Sequence, residues 1–281
     1  MRIAVVGSAG MFGSDLLGLL EERGIDFKGF NRQNVDFEKG PESLAETLKG
    51  FDAVVNAVAF TAVDRAETEI YEANTVNGIY AGLLAQASEL AGARFVHIST
   101  DYVFDGLANS PYKVDEPLNP KSSYGKSKAL GEQLVTESGA DYSILRTAWL
   151  YGANGRCFPK VMAELLKKSG SVRVVSDQQG QPTWTRDLAE VVIQVLKLDQ
   201  MPRIVHAVSS GQATWADFAK EVAKSIGKGE NSVEEISSAE YPTLAKRPAW
   251  SVLDNSSSIL KPIGDWRERW RVAAPEVLRG I

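Results

Sequence analysis

The run Gly7-Ser8-Ala9-Gly10-Met11-Phe12-Gly13 constrains what this chain can fold into more than any other stretch. It follows Arg2–Val6, an apolar segment that reads as a buried strand. It opens a segment, Met11–Arg23, in which Phe12, Leu16, Leu17 and Leu20 recur at helical spacing and Gly24 follows the end. A G-x-x-G-x-x-G run at a strand-to-helix junction predicts a dinucleotide-binding turn. One glycine permits a tight turn, a second lets the backbone approach a pyrophosphate, and a third lets the helix pack close to the sheet. The helix N-terminus adds free N–H groups and a partial positive charge. Gly7, Ser8, Ala9, Gly10, Met11, Phe12 and Gly13 are therefore the candidate cofactor contacts.

Strand-like and helical segments keep alternating beyond this turn. Phe27–Phe30, Ala53–Ala57, Arg94–Ser99 and Ser143–Arg146 read as strands, and Leu44–Leu48, Tyr71–Leu90 and Ser122–Glu137 as helices. Such alternation predicts right-handed crossovers and an α/β, doubly wound parallel sheet of the Rossmann type. After Trp149 the order loosens: Lys160–Lys168, Arg186–Leu198 and Trp215–Ile226 look helical, the last capped by Thr214, while Val172–Val175 and Ile204–Val208 look like strands. The expected division is a dinucleotide-binding domain over 1–149, completed by about 185–208, and a smaller C-terminal substrate-binding lobe over 150–184 and 209–281. The tail from Glu240 carries Pro242, Pro248 and Pro262.

Composition narrows the function. The 281 residues carry a net charge of -5, which argues against a broad nucleic-acid surface. No apolar run approaches the length of a membrane span, and no secretory signal is apparent at the start. One cysteine, Cys157, rules out an internal disulfide and suits a cytoplasmic protein. The two histidines, His97 and His206, sit in apolar strand patterns and read as core residues; no metal site is expected.

Cofactor choice should be set where the second strand ends. A carboxylate there would bind the ribose 2′-OH of NAD. The residues are instead Asn31 and Arg32, and a guanidinium suits a 2′-phosphate. Asp36, a little further on, is placed to reach the adenosine side. NADPH is the expected cofactor, with NADH left open as a second donor.

Tyr124 and Lys128 fall four residues apart at the start of a predicted helix, so they share one face. Ser99-Thr100-Asp101 ends the preceding strand, at the sheet edge where ligands sit. A carbonyl reductase must deliver a hydride and then a proton to oxygen. A free phenol, with a pKa of about 10, is poorly matched to neutral pH. A nearby ammonium would stabilise the phenolate and lower that value, while Thr100 would orient the carbonyl. Thr100, Tyr124 and Lys128 are the candidate catalytic residues, and Tyr124 and Lys128 also face the cofactor ribose.

Several strings together resemble the dTDP-4-dehydrorhamnose reductase family of extended short-chain dehydrogenases. They are Gly7–Gly13, Asn56–Asp64, Ser99-Thr100-Asp101-Tyr102-Val103-Phe104-Asp105-Gly106, Tyr124–Lys128 with Gly131-Glu132, Leu145–Gly152, Asp177–Thr183 and Tyr241-Pro242-Thr243 with Lys246-Arg247-Pro248. The resemblance runs through nearly the whole chain. It implies reduction of the C4 ketone of a dTDP-linked 6-deoxy-hexulose, giving dTDP-L-rhamnose. It implies that Ala57 and Ala59 let the cofactor ribose approach the backbone. It implies that Thr61, Val63, Asp64, Thr100, Asp101 and Tyr102 line the substrate site and that Trp149 packs on the sugar. A homodimer is one assembly it leaves open.

Trp184 and Trp250 depart from the family pattern, and both segments are expected to border the sugar-nucleotide pocket. Arg146 faces two choices, a nearby carboxylate or a substrate phosphate. Three functions remain at this stage: the reductase, another sugar-nucleotide reductase or an epimerase on the same scaffold, and a non-catalytic NADP-binding regulatory subunit.

Overall fold

The computed structural model describes residues 1–256 and 259–281. Strand β1 (Arg2–Val6) leads through the glycine turn into helix α1 (Met11–Glu22) and back to β2 (Asp26–Phe30). Helix α2 (Gly40–Leu48) precedes β3 (Ala53–Asn56). Helices α3 (Ile70–Asn74) and α4 (Tyr80–Leu90) precede β4 (Arg94–Thr100), and α5 (Ser123–Thr136) precedes β5 (Tyr142–Thr147). The sixth strand is Ile204–His206, and the sheet order is Ile204–His206, β5, β4, β3, β1, β2, every pair parallel. Strand order reverses between β1 and β3, so the crevice for a ligand opens beyond Val6 and Asn56, which are register partners.

Alternation on β1 explains the two layers. Ile3 and Val5 pack with Leu16, Leu19 and Leu20 of α1 and with Leu188, Val192 and Val195 of helix α7 (Thr185–Leu196). Ala4 and Val6 face the other way, onto Leu44, Leu48 and Leu84. A strand buried on both faces is apolar throughout, as this one is.

The C-terminal half has its own core. Helices α6 (Phe158–Ser169), α8 (Trp215–Ser225) and α9 (Trp266–Val277) enclose Tyr151, Trp184, Phe218, Trp266 and Trp270. Thr214 caps α8 in a reciprocal capping box with Asp217, as its sequence predicts. Val172–Val175 pairs in parallel with Val233–Ile236 on the edge of this half. Among the described residues no helix is long and apolar enough to cross a membrane.

One expectation fails here for a physical reason. The continuous helix expected over 71–90 is broken by a π turn at Thr75–Ile79. Gly78 and Gly82 admit Leu130 and Leu134 of α5 at that point, and the wider turn swings Asn77 inward. Alanine spacing carries no sign of this. The tail ends in α9, whose Trp266 and Trp270 are fully buried despite the interior Pro275 and four arginines over Arg267–Arg279. Apolar burial outweighs the local signals there.

Candidate active site

The glycine turn does what its composition predicts. Gly7 sits at φ +91°, and its N–H and that of Ser8 donate to the Phe30 carbonyl at 2.9 and 3.0 Å, tying the turn to the end of β2. A Cβ on Gly13 would lie 2.3 Å from the Gly7 carbonyl oxygen, so only glycine lets α1 begin this close to the turn. The Gly10 N–H is spent on Gly7, which leaves the N–H groups of Met11, Phe12 and Gly13 as the unpaired first-turn donors. No acidic residue occupies that first turn. Anion binding by oriented backbone needs this combination.

The neighbouring candidates surround this turn. Ala57 donates to the Val6 carbonyl at 2.8 Å and lies against Gly7, and Ala59 is exposed just beyond. Asn31 caps the bend that follows β2 by accepting from Gln33. Arg32 is exposed, with no carboxylate in ion-pair reach among the described residues. Asp36 is engaged locally: it accepts from Glu38 and faces Lys39 at 3.6 Å.

The strand-end candidates converge through α5. Ser122 caps this helix by accepting from Gly125, and Glu67 accepts from both the N–H and the hydroxyl of Ser123 at 2.8 Å. A Cβ on Gly125 would fall 2.3 Å from the Tyr102 carbonyl oxygen. Gly125 thus lets the helix start press against the β4 end, which sets Tyr124 beside Thr100 and edge-on to Tyr102, ring centroids 5.4 Å apart. Thr100 donates to Asp101 at 2.8 Å and accepts from the Tyr102 N–H.

Protonation here departs from the expectation of an acidified phenol. Burial pushes Tyr124 up to about 12; hydrogen bonding with Thr100 opposes this and the Asp101 carboxylate reinforces it. The Lys128 amine, also buried, donates to the Ile98 carbonyl at 2.6 Å, and burial pushes it down to about 8 against the pull of Glu132. Burial likewise raises Asp101 to about 6, despite hydrogen bonds with Ser251 and Thr100. Desolvation is the largest cause in all three.

Behind these groups lies a braced layer. Arg146 donates to both oxygens of Glu132, at 3.0, 3.2 and 2.8 Å, and Ser99 donates to the same carboxylate at 2.5 Å. Arg146 therefore serves a protein carboxylate, not a substrate phosphate. Asn77 accepts from the Phe60 N–H at 2.7 Å and donates to Ser127 at 2.9 Å, joining the loop after β3 to the residue before Lys128.

A cavity of about 440 Å³ opens next to Tyr102, walled by Phe104, Lys121, Gln178, Tyr241, Lys246 and Arg247 among others. Asp64 holds this wall: it accepts from the Ala245 N–H at 3.0 Å and pairs with Arg247 at 2.8 Å. Thr61 is exposed and Val63 half-buried on the same loop.

Of the two tryptophan-bearing segments expected to border the pocket, Arg247-Pro248-Ala249 lines the cavity. Trp149, expected against the sugar, stacks on Trp215 with centroids 3.6 Å apart and lies against Gly180, where a Cβ would come within 2.4 Å. Its backbone holds the left-handed φ of +45°. It is not on the cavity wall. Trp184 is buried in the C-terminal core, and Trp250 donates to the Ser110 carbonyl at 2.9 Å; neither lines the cavity.

Sequence reasoning passed over Gly125, Asn77, the bracing role of Glu132, and His97 as a neighbour of Lys128. Gly125 had a signal, a glycine inside a helix start. The others meet their partners across 14 to 50 residues of chain, which local pattern cannot reveal.

Comparison with known proteins bears on this arrangement. The family model for the RmlD substrate binding domain matches residues 1–281. A probable dTDP-4,6-dihydroxy-2-methyloxan-3-one 4-ketoreductase of Streptomyces antibioticus is 40% identical, covering 99% of this chain and 96% of that one. The dTDP-4-dehydrorhamnose reductase of Burkholderia thailandensis is 36% identical, covering 100% and 99%. Among solved structures, the dTDP-4-dehydrorhamnose reductase of Bacillus anthracis in complex with NADP superposes with a TM-score of 0.92 at 31% identity, over 98% and 99% of the two chains.

Proposed function

The chain belongs to the RmlD substrate-binding-domain family, and from that premise we propose that it reduces the C4 ketone of a dTDP-linked 6-deoxy-hexulose with NADPH. The single observation that carries this is the presence of a glycine turn and a Thr100–Tyr124 pair at the carboxyl ends of β1 and β4 in one parallel sheet. The most economical product is dTDP-L-rhamnose, formed in the cytoplasm. The relatives named above share 4-keto reduction on a dTDP-linked sugar while differing in the sugar.

The residues fit the cofactor. Gly13 leaves room for a phosphate-bearing turn, and Arg32, with no carboxylate in ion-pair reach among the described residues, offers its guanidinium to a 2′-phosphate. NADPH, when bound, supplies the hydride. This chain supplies the proton and the orientation. Tyr124, held protonated at neutral pH by its burial, donates from its hydroxyl to the ketone oxygen as that oxygen becomes an alkoxide. Thr100 hydrogen-bonds the same oxygen and fixes its direction. Lys128 stands one helical turn from Tyr124 and restores its charge balance. The cavity beside Tyr102, with Lys121, Lys246 and Arg247 on its wall, receives the anionic nucleotide end.

The test is a panel of dTDP- and UDP-linked 4-keto sugars with NADPH oxidation as readout. Net oxidation with the dTDP-linked members is the expected result. Sugar conversion without net oxidation marks an epimerase or dehydratase, which recycles its cofactor. NADPH binding with no conversion of any member marks a regulatory subunit. Either outcome overturns the reductase.

A further inference from the structure

His97 is fully buried on β4, two residues from Ser99, and both side chains meet α5: Ser99 at Glu132 and His97 at Lys128. Its protonation can be read from hydrogen-bond logic alone. The Val58 N–H donates to the Asn56 side-chain oxygen at 3.0 Å, and a backbone N–H can only donate. That fixes the orientation of the amide. Its nitrogen is therefore the atom 3.1 Å from His97 Nδ1, and an amide nitrogen also only donates. Nδ1 must accept, so the ring proton sits on Nε2.

Nε2 lies 3.4 Å from Lys128 Nζ, which spends one hydrogen on the Ile98 carbonyl at 2.6 Å. An ammonium has three donors and no acceptor. Facing Nε2–H, it sets N–H against N–H. A neutral amine turns its lone pair to Nε2–H and keeps the bond to Ile98. We propose that His97, locked by Asn56 as the Nε2–H tautomer, is a positioning residue that favours the uncharged form of the Lys128 amine.

The other groups around the amine are accounted for. Glu132, one turn further along α5, favours the ammonium, but its carboxylate is engaged by Arg146 and Ser99. The Ile98 carbonyl accepts from either form. Asp101 follows the end of β4, and Tyr124 stands one helical turn before Lys128 on α5. Burial works in the same direction as His97, bringing Lys128 to about 8, and burial keeps His97 uncharged, reinforced by the lysine whenever it carries its proton. A lysine that gains and loses its proton near working pH can return one to a phenol that has given its own away. This consequence rests on the reduction proposed above; the tautomer assignment does not.

The chain has only two histidines, and the structure gives them opposite tautomers. His206 points Nδ1 at the Asp254 carbonyl at 3.0 Å, which requires Nδ1–H. Long-range ¹⁵N–¹H correlation on imidazole-labelled protein, assigned with His206→Gln, is expected to show His97 as Nε2–H, unchanged between about pH 6 and 9. An Nδ1–H tautomer, or a ring that charges in that range, overturns the proposal. In His97→Gln the side-chain oxygen can accept from the ammonium. The pKa governing kcat is then expected to rise by about one unit, a tenfold change in the lysine's proton affinity, with NADPH affinity kept. A folded His97→Gln protein with an unmoved profile also overturns it. If the unaltered chain turns over no keto sugar, the proposed reaction fails and the tautomer measurement alone decides the role of His97.

Discussion

Gly7, Gly10 and Gly13 line one side of the crevice with backbone and almost no side chain, and no buried ionisable group stands among them. Across the sheet edge, Thr100, Asp101, Lys128, His97, Glu132 and Arg146 are all buried polar or charged side chains. Phosphate recognition needs fixed N–H groups and open space, and these tolerate no Cβ. Proton transfer needs side chains taken out of water, and desolvation then moves their pKa values far more than neighbouring charges do. The glycine side should therefore fail by steric intrusion and the strand-end side by loss of electrostatic support.

The largest effect expected on this contrast is at Glu132. Glu132→Gln leaves the Arg146 guanidinium buried and underpaired, and should cost roughly 3–5 kcal/mol in urea unfolding. A loss under 1 kcal/mol would show that the strand-end side does not depend on its buried charges. Asp101 gives a pH signature on the same side. Its carboxyl, raised to about 6, is held more tightly protonated in the folded chain than in the unfolded one. Stability should therefore fall as pH rises from about 4 to 6, by about 3 kcal/mol. Asp101→Asn should flatten that slope, as measured by unfolding midpoints across the window.

Gly13→Ala tests the opposite side. With a Cβ placed 2.3 Å from the Gly7 oxygen the turn itself must shift, so NADPH affinity should drop about 100-fold, or ~2.7 kcal/mol, with a smaller loss of about 1 kcal/mol in unfolding. Equal damage to both would erase the contrast. The smallest effect expected is at Arg32, where Arg32→Gln should weaken NADPH about tenfold and leave NADH unchanged. Equal weakening of both cofactors would remove Arg32 from 2′-phosphate recognition.

The contrast also explains what could be read from sequence. Gly7–Gly13, the alternating strands and the Thr100, Tyr124 and Lys128 positions are local patterns, and the fold and the neighbourhood of the candidate site follow from them. Contacts between distant segments do not show as patterns. Asp64 to Arg247 spans 183 residues and Asn77 to Ser127 spans 50. The π turn at Thr75–Ile79 and the Trp149–Trp215 stack arise only when distant segments pack together. The expected acid shift of Tyr124 missed because it counted a cation and not the burial that accompanies it.

The central claim is that the Tyr124 hydroxyl delivers a proton to the sugar ketone, and Tyr124→Phe tests it with one atom removed. With a dTDP-linked 4-keto-6-deoxy sugar, kcat for NADPH oxidation should fall at least about 100-fold while NADPH affinity stays within about threefold. A variant that keeps kcat within about tenfold of the unaltered chain contradicts the account.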